Sequence, residues 1–168
     1  MQRILVAGLG NIFLGDDGFG VEVARELMER DLPAGVQVTD FGIRGMDLVY
    51  DLLEDHDAVI FVDTAQRGDP PGTLYLIEPQ VELSGEVTLD THGMDPVKVL
   101  KLARVMGAKP TRTYVVGCEP ERIPEGDDPD VLMKLSASAQ AAVPEAVSMV
   151  IDLVQRLSAV EEGVGAPR

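Results

Sequence analysis

Short apolar runs alternate along this chain with stretches whose apolar residues recur at helical spacing. Residues 3–9 (RILVAGL) are such a run, closed by glycines, and read as a strand buried on both faces. Residues 18–30 follow with Val21, Ala24, Leu27 and Met28 at helical spacing, which predicts a helix capped by Asp16 or Asp17. Residues 36–40 (VQVTD) predict a second strand. Residues 45–54 predict a second helix with Met46, Val49, Leu52 and Leu53 on one face, and residues 58–63 (AVIFVD) a third strand.

Strand–helix–strand–helix–strand implies a parallel sheet with right-handed crossovers and helices on both faces. Pro70, Pro71 and Gly72 then turn the chain, and residues 73–77 (TLYLI) predict a fourth strand. It follows the third too soon for a parallel crossover, so it is expected to be antiparallel near an edge. After a polar loop over 78–94, Asp95 or Pro96 opens a helix to about residue 106, burying Val99, Leu100, Leu102 and Ala103. Residues 111–117 (TRTYVVG) predict the fifth strand, and residues 120–130, rich in proline and acid, a surface loop. The last helix is expected over 136–157, with a bend at Pro144. The expected fold is a three-layer α/β/α domain over residues 1–158, with a twisted, mainly parallel five-stranded sheet and one antiparallel edge strand. Residues 159–168 are expected to be a frayed tail.

Composition narrows the class. Of 168 residues, 45 % are apolar and 26 % charged, an ordinary globular balance. Lys and Arg number 14 against 29 Asp and Glu, a formal charge of −15. That charge argues against nucleic acid, which wants a basic footprint, and against an anionic membrane surface. It favours solubility, and the expected state is a monomer. Cys118 is the single cysteine, so no internal disulfide is available and the chain reads as intracellular. The N-terminal apolar stretch is broken by Gly8, Gly10 and Asn11, unlike a signal peptide, and no run is expected to reach the ~20 apolar residues that span a bilayer. The expected location is the cytoplasm.

In open parallel sheets ligands bind outside the carboxyl ends of the strands, where strand order reverses, here between the first and third strands. The first strand runs into GLGNIFLGDDGFG and the third ends in Asp63-Thr64-Ala65. The glycine-rich turn invites a dinucleotide reading, with Asp40 as the ribose acid. That fingerprint wants a third glycine where Phe13 stands, and Asp16 and Asp17 would repel a pyrophosphate. Acids at a cleft mouth suit a cation instead, and an added imidazole shifts the preference from Mg²⁺ or Ca²⁺ towards Zn²⁺ or Ni²⁺. His56 precedes the third strand, roughly 20 Å from Asp63 at ~3.3 Å per residue. His92, in the loop THGMD, can reach the carboxyl edge. The candidate triad is Asp17 (or Asp16), Asp63 and His92.

Plainer readings exist for each residue. Asp16 and Asp17 can be helix caps, Asp63 a turn residue, His92 a cap, and Cys118 a small buried hydrophobe. Arg44 can be a solvated charge, and Met46 and Met94 packing residues. The cost of burying a carboxylate in the apolar context of Asp63 weighs towards a role for it.

Together GLGNIFLGDDGFG, DFGIRGMDLVYDL, VDTA, THGMD and VVGCEPE resemble the hydrogenase maturation endopeptidases, in the same order and with compatible spacing over nearly the whole chain. The resemblance implies a cytoplasmic protease that trims the C-terminal extension from the precursor large subunit of a nickel–iron hydrogenase. It implies a nickel site of two carboxylates and a histidine, matched by Asp17, Asp63 and His92. The first position is often Glu in the family; Asp17 is one methylene shorter. Asp40, with Gly42, matches a further acidic position tied to cleavage, and Asp40 as general base, with Asp17, completes the candidate catalytic set. Nickel would come with the substrate as a recognition element, and zinc or cadmium could occupy the same site in vitro. A Cys118–His92 pair is conceivable, but the family does not depend on one. Two rivals remain: a metallohydrolase acting on a soluble substrate through the same Asp/Asp/His site, and a nickel-checking module that does not cut.

Overall fold

Every residue of β1 (Ile4–Leu9) is buried, and the strand's alternation divides the interior in two. Ile4 and Val6 face one core, Leu5, Ala7 and Leu9 the other. The computed structural model describes residues 1–81, 95–121, 123 and 134–164, the last five of these as backbone only. A 3-10 turn (Gly15–Gly18) leads into α1 (Phe19–Met28), followed by β2 (Val36–Gly42), α2 (Gly45–Leu52) and β3 (Ala58–Thr64). Then come β4 (Leu74–Ile77), α3 (Pro96–Val105), β5 (Arg112–Cys118) and α4 (Ala137–Val164).

The sheet order is β2-β1-β3-β5-β4. The first four of these strands are parallel, and β4 pairs antiparallel with β5 at the edge, Leu74 opposite Cys118. The expected three-layer α/β fold is therefore observed. On one face Phe19, Val23 and Leu27 of α1 pack with Ala146, Val150 and Val154 of α4. On the other, Leu48, Val49 and Leu52 of α2 meet Val99, Leu100, Leu102 and Ala103 of α3. Each large aliphatic side chain so enclosed contributes about 1.5–3 kcal/mol of transfer free energy, so the helical stripes, not local propensity, hold the layers together.

Several boundaries differ from expectation. Neither Asp16 nor Asp17 caps α1; Gly18 is the N-cap, with no side-chain bond, because both carboxylates are engaged elsewhere. Met28 and Leu53, placed by spacing on buried faces, are 48 % and 37 % exposed because they lie at the last turns, beyond the sheet's cover. Helix α4 runs to Val164, past the predicted end, and Pro144 lies inside it without ending it. Contrary to the reading of the sequence, Ala137–Ala159 is long and apolar enough to cross a membrane by length and composition. Its Ala and Val residues supply the inner stripe of the first core. The predicted loop over 78–94 falls from residue 82 onward outside the described residues, as do Met94 and most of the loop over 120–130.

Candidate functional site

The order β2-β1-β3 puts the reversal between β1 and β3, and two glycines bring a helix onto it. A Cβ on Gly20 would run into the carbonyl oxygens of Val62 and Leu9, and one on Gly8 into Gly20 and Ala24. Backbone thus meets backbone, and the first turn of α1 sits directly on the ends of both strands. The 3-10 turn carrying Asp16 and Asp17 is consequently set at the carboxyl edge.

The two neighbouring acids diverge. Asp16 is 2 % exposed, and its carboxylate accepts from the Ser136 amide (2.7 Å), the Ser136 hydroxyl (2.8 Å) and the Glu121 amide (2.8 Å). Asp17 is only half-buried and accepts from the Asn11 amide at 2.9 Å. Burial holds the Asp17 carboxyl above the usual carboxylate range, partly opposed by the Asn11 bond.

Asp63 closes β3 and is 6 % exposed. Its Oδ1 accepts from the Thr64 amide at 2.7 Å. Burial drives its pKa well above the carboxylate range, and the negative fields of Asp17 and Asp95 push it further. Asp95 caps α3, accepting from the Val97 amide at 2.8 Å with Pro96 in the first turn. Among the described residues neither Asp17 nor Asp63 forms an ion pair. Two acidic oxygen donors of this kind, coupled and only partly solvated, fit a divalent cation that also takes ligands from elsewhere. No group of three His, Cys, Asp or Glu that could hold a metal occurs among the described residues; His92, the expected third donor, lies outside them.

Asp40 is opposite Gly8 in the β1–β2 register. Its Oδ2 is 3.5 Å from Arg25 Nε, and its carbonyl accepts from Arg44 Nη2 at 2.5 Å. Arg44 is exposed, as its reading as a solvated charge expects, and its guanidinium lies over the Phe41 ring, 5.9 Å from the centroid. Beside Asp40 a cleft of about 280 Å³ is lined by Gly10, Ile12, Phe13, Val21 and Ile43, of which Phe13 is 49 % and Ile43 65 % exposed. Cys118 belongs to the first core, where burial and the charges of Asp16 and Glu119 push its thiol up to about 11. A thiol held protonated is a poor nucleophile, in keeping with the packing role. His56 sits at the amino end of β3, its Nε2 3.0 Å from both the carbonyl and Oδ1 of Asp51.

The residues that sequence reasoning missed are supports. Glu119, 6 % exposed, accepts from the amides of Arg67 (2.8 Å) and Gly68 (2.7 Å), tying the segment after β3 to the end of β5. Asn11 binds Asp17 through its amide, and Ser136 binds Asp16 through its amide and its hydroxyl. No spacing rule announces such contacts; an acid directly after a buried strand, as in VVGCEPE, is the one signal Glu119 offers.

Comparison with known proteins gives this edge a context. The chain superposes on the E. coli hydrogenase maturating endopeptidase HybD with a TM-score of 0.72 at 28 % identity, over 92 % of this chain and 93 % of that one. A hydrogenase 2 maturation peptidase from a Thaumarchaeota archaeon gives 0.69 at 32 % identity, over 92 % and 99 %. The fold is that of these peptidases. The model of the hydrogenase maturation protease family HycI matches residues 21–153, and the hydrogenase expression/formation protein HoxM of Cupriavidus necator is 31 % identical over 91 % of this chain and 74 % of its own length. The HupD protein of Rhizobium leguminosarum is 29 % identical over 98 % and 82 %. The chain belongs to the hydrogenase maturation protease family.

Proposed function

We propose that this peptidase removes the C-terminal extension from the nickel-loaded precursor of a nickel–iron hydrogenase large subunit, acting as a monomer in the cytoplasm. The observation that carries the reading is the meeting of Asp17 and Asp63 at the strand-order reversal, each raised by burial and Asp63 raised further by Asp17. With His92 they are the protein's ligands to a nickel ion that arrives on the substrate. The metal is thus part of what is recognised, and its docking brings the tail of the precursor to the edge of the sheet. Zinc or cadmium can take the same place in vitro. The charge of −15 and the single cysteine support the cytoplasmic assignment and speak against nucleic acid or membrane as partner.

The exposed side chains of Phe13 and Ile43 offer an apolar wall to an extended peptide beside Asp40. Asp40 serves as general base, held by the Arg25 guanidinium. Water adds to the scissile carbonyl carbon as its proton passes to the Asp40 carboxylate. The C–N bond then breaks, and the proton goes to the leaving nitrogen. The products are a new C-terminal carboxylate and a free amine on the released tail.

The test is cleavage of the nickel-loaded precursor against the same precursor without nickel. Cutting of the loaded form alone, lost in Asp17→Ala, Asp63→Ala and His92→Ala, is the expected result. Cutting of small peptides or esters with added Zn²⁺ would instead make the protein a general metallohydrolase. Tight binding of the precursor without cutting would make it a nickel-checking module. An Asp40→Asn variant with the parent's pH–rate profile would remove Asp40 from the mechanism.

A further inference from the structure

We propose that Asp16 is the positioning residue of the site: its carboxylate fastens the turn that carries Asp17 to the start of α4 and the end of β5. This rests on the reading of Asp17 as a ligand to the substrate's metal. The turn has four residues, no side-chain cap at Leu14, and a left-handed Gly15 (φ 58°) at its start. Isolated 3-10 turns of this length have poor hydrogen-bond geometry and do not hold themselves. The Asp17 amide bonds within the loop, to Leu14 O at 3.2 Å, and the Asp17 carboxylate is aimed by the nearby Asn11 amide. Asp16 is what reaches out, to partners 105 and 120 residues along the chain.

Those bonds use both oxygens. Oδ1 takes the Ser136 amide, and Oδ2 takes the Glu121 amide and the Ser136 hydroxyl. Ser136 Oγ in turn accepts from the Ala139 amide at 3.2 Å, so the same hydroxyl serves the first turn of α4. Bonds to a buried carboxylate are charge-assisted and directional. An asparagine keeps one acceptor oxygen and presents an amide to the other side, so either Ser136 N–H or Glu121 N–H would face a donor. The turn must then shift, and Asp17 with it.

The test uses full-length Asp16→Asn, Ser136→Ala, Asp17→Asn and, as a stability control far from the turn, Val154→Ala in the core. Three quantities are read: kcat and KM on nickel-loaded precursor, Cd²⁺ affinity of the protease alone, and exchange protection of the Asn11 amide. Losing an outer support costs about 10–100-fold in metal affinity or activity, so Asp16→Asn is expected to fall by that factor in kcat/KM, chiefly through a raised KM for the nickel-loaded precursor, and in Cd²⁺ affinity. The Asn11 amide is expected to lose protection while unfolding stays cooperative. Ser136→Ala, which keeps its amide, is expected to lose about 5-fold, the equivalent of one hydrogen bond. It carries the test if Asp16→Asn fails to fold. Val154→Ala should process like the parent and keep Asn11 protected. Parental kcat/KM and Asn11 protection in Asp16→Asn would overturn the proposal, as would an equal loss in Val154→Ala. An active Asp17→Asn would instead sink the underlying site reading, and Asn11 protection would still report on the turn.

Discussion

Two hollows of nearly equal size lie at opposite ends of the sheet. One, of about 270 Å³, is at the amino end, lined by His56, Leu100, Arg104, Lys109 and Thr111. The other, of about 280 Å³, is the cleft beside Asp40 at the carboxyl end. The first even holds one of the chain's two histidines. Volume therefore does not tell them apart; the two ends of the sheet differ in their buried polar groups, His56 in the first hollow and Asp63 outside the lining of the second. His56 is served by the Asp51 carbonyl and carboxylate, which accounts for its burial. At the other end Asp63 is buried with an acid, not a base, as its electrostatic neighbour. The buried histidine has partners that meet its polar needs; the buried acid has only its neighbouring amide and the fields of two other acids.

The contrast can be broken experimentally, and the largest effect should come from the carboxyl edge. Losing a preorganised charged group at a reacting centre costs about 10²–10³ in rate. Asp63→Ala should lower processing by at least that factor in a single-turnover assay. Next is Gly20→Ala, whose methyl would meet the Val62 and Leu9 carbonyls. Overpacking of this kind costs about 1–3 kcal/mol, and the backbone contact puts it at the top of that range in urea unfolding. His56→Ala should cost about 1–3 kcal/mol through the lost bonds to Asp51, yet leave kcat/KM within about twofold of the parent. A loss of activity there as large as for Asp63→Ala would erase the distinction between the two ends.

A smaller, opposite-signed effect is expected from Asp63→Asn in the metal-free protein. The folded pKa of Asp63 lies above the unfolded value of about 3.9, so the native state binds its proton more tightly. Stability contributed by that group is complete below the unfolded pKa and is lost as pH rises through the folded one. Asparagine escapes the loss and can still accept from the Thr64 amide. The variant should therefore melt higher at neutral pH, by about 2–4 °C for each kcal/mol relieved, with the gain vanishing in acid. Last, Cys118 with its thiol at about 11 should resist iodoacetamide in the native protein at pH 8, and Cys118→Ala should retain processing. Rapid native alkylation would contradict its place in the core.

Much of the fold can be read from the sequence because periodicity reports burial. Among the described residues five strands and four helices appear where RILVAGL, AVIFVD and the three-and-four spacings of Val99, Leu100, Leu102 and Ala103 put them. Even the antiparallel β4 follows from the short link after Asp63. What periodicity cannot report is where a polar side chain finds its partner. Asp16 and Asp17 are adjacent and alike, and only the positions of Ser136, Glu121 and Asn11 separate an anchor from an open carboxylate. Helix ends mislead for a related reason: Met28 and Leu53 keep the rhythm after the neighbouring layer has run out.

Glu119 has a further consequence. Its carboxylate receives the Arg67 and Gly68 amides, its amide donates to the Thr73 carbonyl, and its own carbonyl receives the Gly72 amide. The stretch leaving Asp63 is thereby stitched at both ends to the strand beside it. Opposite, around Ile43 and Phe13, apolar side chains stand open to water. This edge of the sheet thus has one side fastened by hydrogen bonds and another made of open apolar side chains.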